Sequence, residues 1–123
     1  MRKNKYNNNR VVFDGHVFDS EKERDRYIVL KQKQRRGEIF SLQLQKKFVL
    51  TDAIYVDERG RIVDRHTKGR KLYAKKSEYK CDFFYYTKNG DPVIEDVKGY
   101  KTDLYQLKKK VLADKYGIVI KEL

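Results

Sequence analysis

The dipeptide Asn89-Gly90 is the feature that most constrains this chain. A two-residue Asn-Gly loop between extended apolar runs favours a type I′ turn, because both central positions need φ > 0. The flanking runs are Tyr79–Tyr86 (YKCDFFYY) and Pro92–Val97 (PVIEDV). Both are rich in aromatic or β-branched residues, so both read as strands. The turn pairs them antiparallel and fixes their register. Two acids fall on this ladder. Asp82 lies seven residues before Asn89 and Asp96 six after Gly90, which sets them at nearly opposed rungs.

That placement is chemically costly. In YKCDFFYY both faces are apolar, which puts Asp82 near a buried surface. A buried carboxylate is unfavourable unless it is paired or binds a metal. Two opposed carboxylates repel unless a cation joins them. Oxygen ligands of this kind suit Mg²⁺ or Mn²⁺ and not zinc. Asp96 and Lys98 are two apart, so they share one strand face with Ile94, while Glu95 and Val97 point the other way. Plainer readings exist for each. Asp82 can be a strand-end acid that accepts a local hydrogen bond. Asp96 and Lys98 can be an exposed ion pair, which contributes little.

The remaining elements follow from local signals. Val11–Phe18 holds Asp14-Gly15 between apolar residues, a small hairpin. Asp19-Ser20 opens a helix that runs to about Arg36 and ends at Gly37. Ser20 and Glu23 have the spacing of a capping box. Glu23, Tyr27, Leu30 and Gln34 share one helix face, so Glu23 points toward the core edge. It can serve as cap, as metal ligand, or as both. Ile39–Leu50 reads as extended, with Gln45 on a half-exposed face. Thr102 or Asp103 opens a second helix to Tyr116, with Leu104, Leu107 and Val111 on one stripe and Tyr105, Leu112 and Tyr116 beside it. Gly117 closes it, and Ile118–Ile120 is a last buried strand. The order is helix, strand, strand, strand, helix, strand. This is a mixed α/β or α+β domain, with a central sheet flanked by helices and a terminal parallel crossover.

Charge narrows the partner. Lysine and arginine number 30 against 18 acids, a net of +12, which points to a polyanion. Between Arg59 and Lys80 stand Arg59, Arg61, Arg65, Lys68, Arg70, Lys71, Lys75, Lys76 and Lys80, against only Asp64 and Glu78. This is a basic loop or hairpin over 57–78. Each lysine alone reads as solvated surface charge; together they read as a phosphate-contacting wing. Further bases are Lys108, Lys109 and Lys110 in the second helix and Arg2, Lys3, Lys5 and Arg10 in a flexible arm over 1–10. Residues 11–123 then form one domain. No apolar run approaches the ~20 residues of a membrane span, and the N-terminus lacks the apolar part of a secretory signal. The single cysteine, Cys81, excludes an intramolecular disulfide and reads as a buried small hydrophobe. A cytoplasmic chain with no membrane partner is expected.

The combination of a helix acid, a strand Asp, a hairpin and Asp-x-Lys resembles the PD-(D/E)XK nuclease superfamily, which includes restriction endonucleases and Holliday-junction resolvases. The segments FDSEKERDRY, LQLQKKF, YKCDFFYY and IEDVKGYKT more closely resemble a family of small phage and prophage proteins assigned to that superfamily. The resemblance runs from about Phe13 to Leu123. Cys81 stands where the pattern has proline, and Asp96 where it often has glutamate; neither change removes an oxygen ligand. The resemblance implies a restriction-endonuclease-like αβββαβ core and an endodeoxyribonuclease in the bacterial host cytoplasm that requires Mg²⁺ or Mn²⁺. It implies Asp82, Asp96 and Glu23 as metal ligands and Lys98 as the catalytic lysine. Lys101 and Lys108 would add DNA contacts, with Lys101 at the start of the second helix. Products would carry 5′-phosphates. Cleavage of branched DNA such as a Holliday junction would need a homodimer for two symmetric cuts. The rival readings are a non-catalytic nucleic-acid binder that keeps the fold, and a basic structural protein of an RNA-containing particle. The acids discriminate, because a passive phosphate binder gains nothing from Asp82 and Asp96.

Overall fold

A computed structural model describes residues 9–97 and 102–123. Most of the expected arm, together with Lys98, Gly99, Tyr100 and Lys101, lies outside them. The chain starts with β1 (Val11–Phe13), β2 (His16–Phe18), α1 (Glu21–Arg35) and β3 (Ile39–Leu44). Five short strands follow: β4 (Lys47–Thr51), β5 (Ile54–Val56), β6 (Ile62–Val63), β7 (Lys71–Ala74) and β8 (Ser77–Lys80). The chain ends with β9 (Phe83–Thr87), β10 (Pro92–Asp96), α2 (Asp103–Tyr116) and β11 (Ile120–Glu122). This is a mixed α+β protein. Among the described residues no helix is long and apolar enough to cross a membrane.

The residues expected to form one domain build two compact units. The first holds β1, β2, α1, β3, β9, β10 and β11. Its sheet has the order β11-β10-β9-β3. β10 is antiparallel to β9 and parallel to β11, as the expected crossover requires. Strand β3 pairs antiparallel with β9 and carries a bulge between Phe40 and Gln43. A core of Phe18, Tyr27, Leu30, Ile39, Phe83 and Tyr85 joins α1 and the β2 hairpin to this sheet. Local chemistry sets α1: the Ser20 hydroxyl accepts from the Glu23 amide at 3.1 Å, and Gly37 closes the end at φ 73°.

The second unit holds β4–β8 and α2. β4 pairs with β8, and β5 sits between β6 and β7, all antiparallel. α2 packs against β4 and β8 within this unit. The Tyr116 hydroxyl donates to the Val49 carbonyl at 2.7 Å, and the Lys108 ammonium to the Glu78 carbonyl at 2.8 Å.

Three sequence expectations are corrected. Ile39–Leu50 is two strands, β3 and β4, because the chain turns at Gln45, whose φ is 53°. Tyr79–Tyr86 is likewise two strands, broken at Cys81-Asp82. Both breaks occur at one place: the Gln45 amide donates to the Asp82 carbonyl at 3.1 Å, and the Cys81 amide to the Lys46 carbonyl at 3.0 Å. The buried stripe of α2 is Tyr105 and Leu112, whereas Leu104 and Leu107 are exposed. A helix that packs along one line buries residues seven apart, and here that line misses the other two leucines.

Candidate carboxylate site

The hairpin forms at Asn89-Gly90, but as a three-residue loop rather than a type I′ turn. The Thr87 amide donates to the Asp91 carbonyl and the Gly90 amide to the Thr87 carbonyl, each at 2.9 Å. Gly90 takes the positive φ, 84°, while Asn89 does not. The hairpin sets the pairs Pro92–Tyr86, Val93–Tyr85, Ile94–Phe84 and Glu95–Phe83. Just beyond the last of these pairs stand Asp82 and Asp96, near enough for Asp96 to act on the Asp82 carboxyl. Asp82 is therefore a strand-end acid, at the break between β8 and β9. Its Oδ2 accepts from the Val97 amide at 2.7 Å. Asp96 is 1 % exposed, and its carbonyl accepts from the Leu123 amide at 3.0 Å. Burial, then the contact with Asp96, push the Asp82 carboxyl up to about 8. The Val97 amide opposes that rise, while the charge of Glu23 adds to it. At neutral pH the raised value leaves the Asp82 carboxyl protonated, which relieves repulsion from its acidic neighbours.

Glu23 is buried on the first turn of α1. The cap bond engages its amide rather than its carboxylate. Its charge reaches Asp82, so helix and hairpin bring three acids into one electrostatic neighbourhood. Among the described residues, no group of three or more His, Cys, Asp and Glu side chains stands in a metal-holding arrangement. The donor set nevertheless matches a hard divalent cation, which takes carboxylate oxygens. A cation held by Asp82 and Asp96 would take the place of the Asp82 proton. Cys81 is 1 % exposed, and burial pushes its thiol up to about 12, so it is an inert core residue.

On the other side of β10 is a group that the sequence reading did not find. Glu95 points away from Asp96, as alternation requires, and is fully buried. Its carboxylate takes a two-pronged bond from Arg26, Nε to Oε1 and Nη2 to Oε2, each at 2.7 Å. The Tyr85 hydroxyl donates to the same Oε2. Burial raises the Glu95 carboxyl, but Arg26 and Tyr85 outweigh it and hold it below the usual range. The usable signal was an acid on the apolar side of PVIEDV, with an arginine three residues after Glu23. The same contacts turn Tyr85 into the core.

The basic wing lies in the second unit. Arg59, Arg61, Arg65, Lys68, Arg70, Lys71, Lys75 and Lys76 are all exposed on β7 or on the turns around β5, β6 and β7. Arg61 pairs with Asp57 at 2.9 Å, and the Arg70 guanidinium lies 5.2 Å from the Tyr55 ring centre. Lys108 is half-buried and spends its ammonium on the Glu78 carbonyl, so it anchors α2.

Fold and site together define a small mixed α+β protein with one buried and one half-buried carboxylate at the open end of a β hairpin. The chain belongs to a family of proteins of unknown function, DUF1064, which matches residues 3–122. No curated protein and no solved structure matches it.

Proposed function

We propose that this chain is a divalent-metal-dependent DNA endonuclease of the PD-(D/E)XK kind, with a restriction-endonuclease-like core of α1, β3, β9, β10, α2 and β11. The observation that carries the reading is the Asp82–Asp96 contact. Two carboxyls are forced together at the end of a hairpin, and one is pushed up to about 8, in a chain of net charge +12. A fold that needed only phosphate affinity would have no use for that arrangement. Asp82 and Asp96 would hold Mg²⁺ or Mn²⁺, with Glu23 completing the set. The bound ion would supply a lowered water pKa and charge neutralisation at the phosphate. Lys98, two residues beyond Asp96, would orient the attacking water and offset negative charge in the transition state. The exposed wing would meet the DNA backbone. Branched DNA is the proposed substrate, cut by a homodimer.

The test is cleavage of linear and branched DNA with Mg²⁺, with Mn²⁺ and with chelator, beside Asp82→Asn and Lys98→Ala. Metal-dependent cutting by the wild type is expected, with a loss of at least 100-fold in each variant. No cutting, or equal cutting by the variants, would leave the passive nucleic-acid binder as the better reading.

A further inference from the structure

A cleft of about 510 Å³ runs beside α1 in the first unit, within the size range of small-ligand sites. Its floor is one helix stripe, Glu23, Tyr27, Lys31 and Gln34, which spans roughly 16 Å at ~1.5 Å per residue. The far wall is β3, ending at Gln45. Glu23 and Gln45 tie the cleft to the carboxylate pair, since the charge of Glu23 reaches Asp82 and the Gln45 amide bonds the Asp82 carbonyl.

The lining chemistry is specific. At the near end is an aromatic cluster: the exposed His16 ring lies 5.4 Å from the Tyr27 ring and 6.1 Å from Phe18. Gln34 and Gln45 supply amide donors and acceptors; Gln34 also fixes the wall, because its Oε1 accepts from the Leu42 amide at 2.8 Å. The charges of Glu23 and Lys31 offset each other. A bare phosphate would want net positive lining. A flat, neutral group with hydrogen-bonding edges fits better. Of the described non-glycine residues with positive φ, Ser41 lies at the β3 bulge beside the lining residue Leu42 and Gln45 is in the lining, whereas Asp14 owes its positive φ to the Asp14-Gly15 turn.

We propose that this cleft receives one unpaired nucleobase of a DNA strand, next to the phosphate to be cut. This rests on the endonuclease reading for the identity of the polymer. It gives selectivity for distorted DNA a physical source, since a base already out of the stack enters without the cost of unpairing.

Binding, measured without catalysis, separates the two readings. Fluorescence anisotropy in chelator compares a duplex carrying one bulged nucleotide with the same duplex carrying an abasic bulge, and cleavage is scored separately with Mg²⁺. The base-containing bulge should bind about tenfold more tightly or better. His16→Ala and Gln45→Gly should each erase most of that difference; His16 is exposed, and glycine accepts the positive φ at 45, so both should fold. Equal affinity for base and abasic bulges, or a preference that both variants keep, would overturn the proposal even if the enzyme cuts DNA. A preference without any cleavage would uphold the cleft and overturn the nuclease. Tighter binding of a free nucleoside monophosphate than of the bulged duplex would overturn the strand assignment.

Discussion

At the residue scale, the half-buried Asp82 and the buried Glu95 are two hairpin acids shifted in opposite directions. Asp82 is pushed up to about 8, so the folded state binds its proton more tightly than the unfolded chain does. Its contribution to stability is present below the ordinary value of 3.8 and fades as pH rises through about 8. Asn at this position keeps an oxygen for the Val97 amide and never ionises. Thermal melts in chelator should therefore show Asp82→Asn gaining steadily on wild type from pH 4 to pH 8, ending several degrees more stable relative to its position at pH 4, while cleavage is lost. A variant that gains nothing on wild type over that range would contradict the burial of this group. Glu95 behaves the other way. Its carboxyl is held low, so its contribution is present above the ordinary value of 4.5 and is lost as pH falls below it. Glu95→Gln leaves Arg26 without its anionic partner. The cost should be about 3 kcal/mol, at the low end for a broken buried pair because the Arg26 side chain is 20 % exposed. Urea unfolding should show that gap narrowing between pH 7 and pH 3.

At the element scale, α1 has two separable duties. Ser20 caps it, and Glu23 carries the acid. Ser20→Ala should cost about 1 kcal/mol of stability and leave cleavage measurable. Glu23→Gln should keep the cap, since the bond uses the backbone amide, but weaken metal-dependent activity at least tenfold. Paired urea melts and Mn²⁺ titrations of cleavage would tell these apart; equal loss of activity in both would assign Glu23 to the cap alone. This division also marks what the sequence could disclose. Caps and hairpin turns are local, so Ser20, Gly37, Asn89-Gly90 and Gly117 announced their elements correctly. The opposed rungs of Asp82 and Asp96 followed from the turn by counting. The breaks at Gln45 and Cys81-Asp82 were not legible, because they arise where two strands leave one sheet together, held by backbone bonds between residues far apart in sequence. Glu95 on the apolar side of PVIEDV marked a buried acid, but its partner Arg26 is 69 residues away, so the pairing itself was not legible.

At the scale of the whole molecule, the positive charge is organised by unit. The acids of the candidate site belong to the four-stranded sheet and its helix; the densest run of exposed bases belongs to β5, β6, β7 and their turns. The proposed phosphate contacts and the proposed carboxylate chemistry thus fall in different parts of the chain and should be separable by mutation. Arg59, Arg65, Lys68 and Lys75 are exposed on turns, so their loss should leave the fold intact. Changing all four to alanine takes the net charge from +12 to +8. Each lysine or arginine that neutralises a phosphate adds about 0.9 to the slope of log K against log salt on B-DNA. The quadruple variant should therefore bind more weakly at low salt, with a slope shallower by about 3 to 4 units. Its metal requirement and its Asp82 dependence should stay as in the wild type, measured at DNA concentrations high enough to saturate it. An unchanged slope would show that phosphate is met elsewhere and that the wing is solvated surface. A lost metal response in the same variant would show that the two units do not act as separate instruments, and that the basic turns help to form the carboxylate site itself.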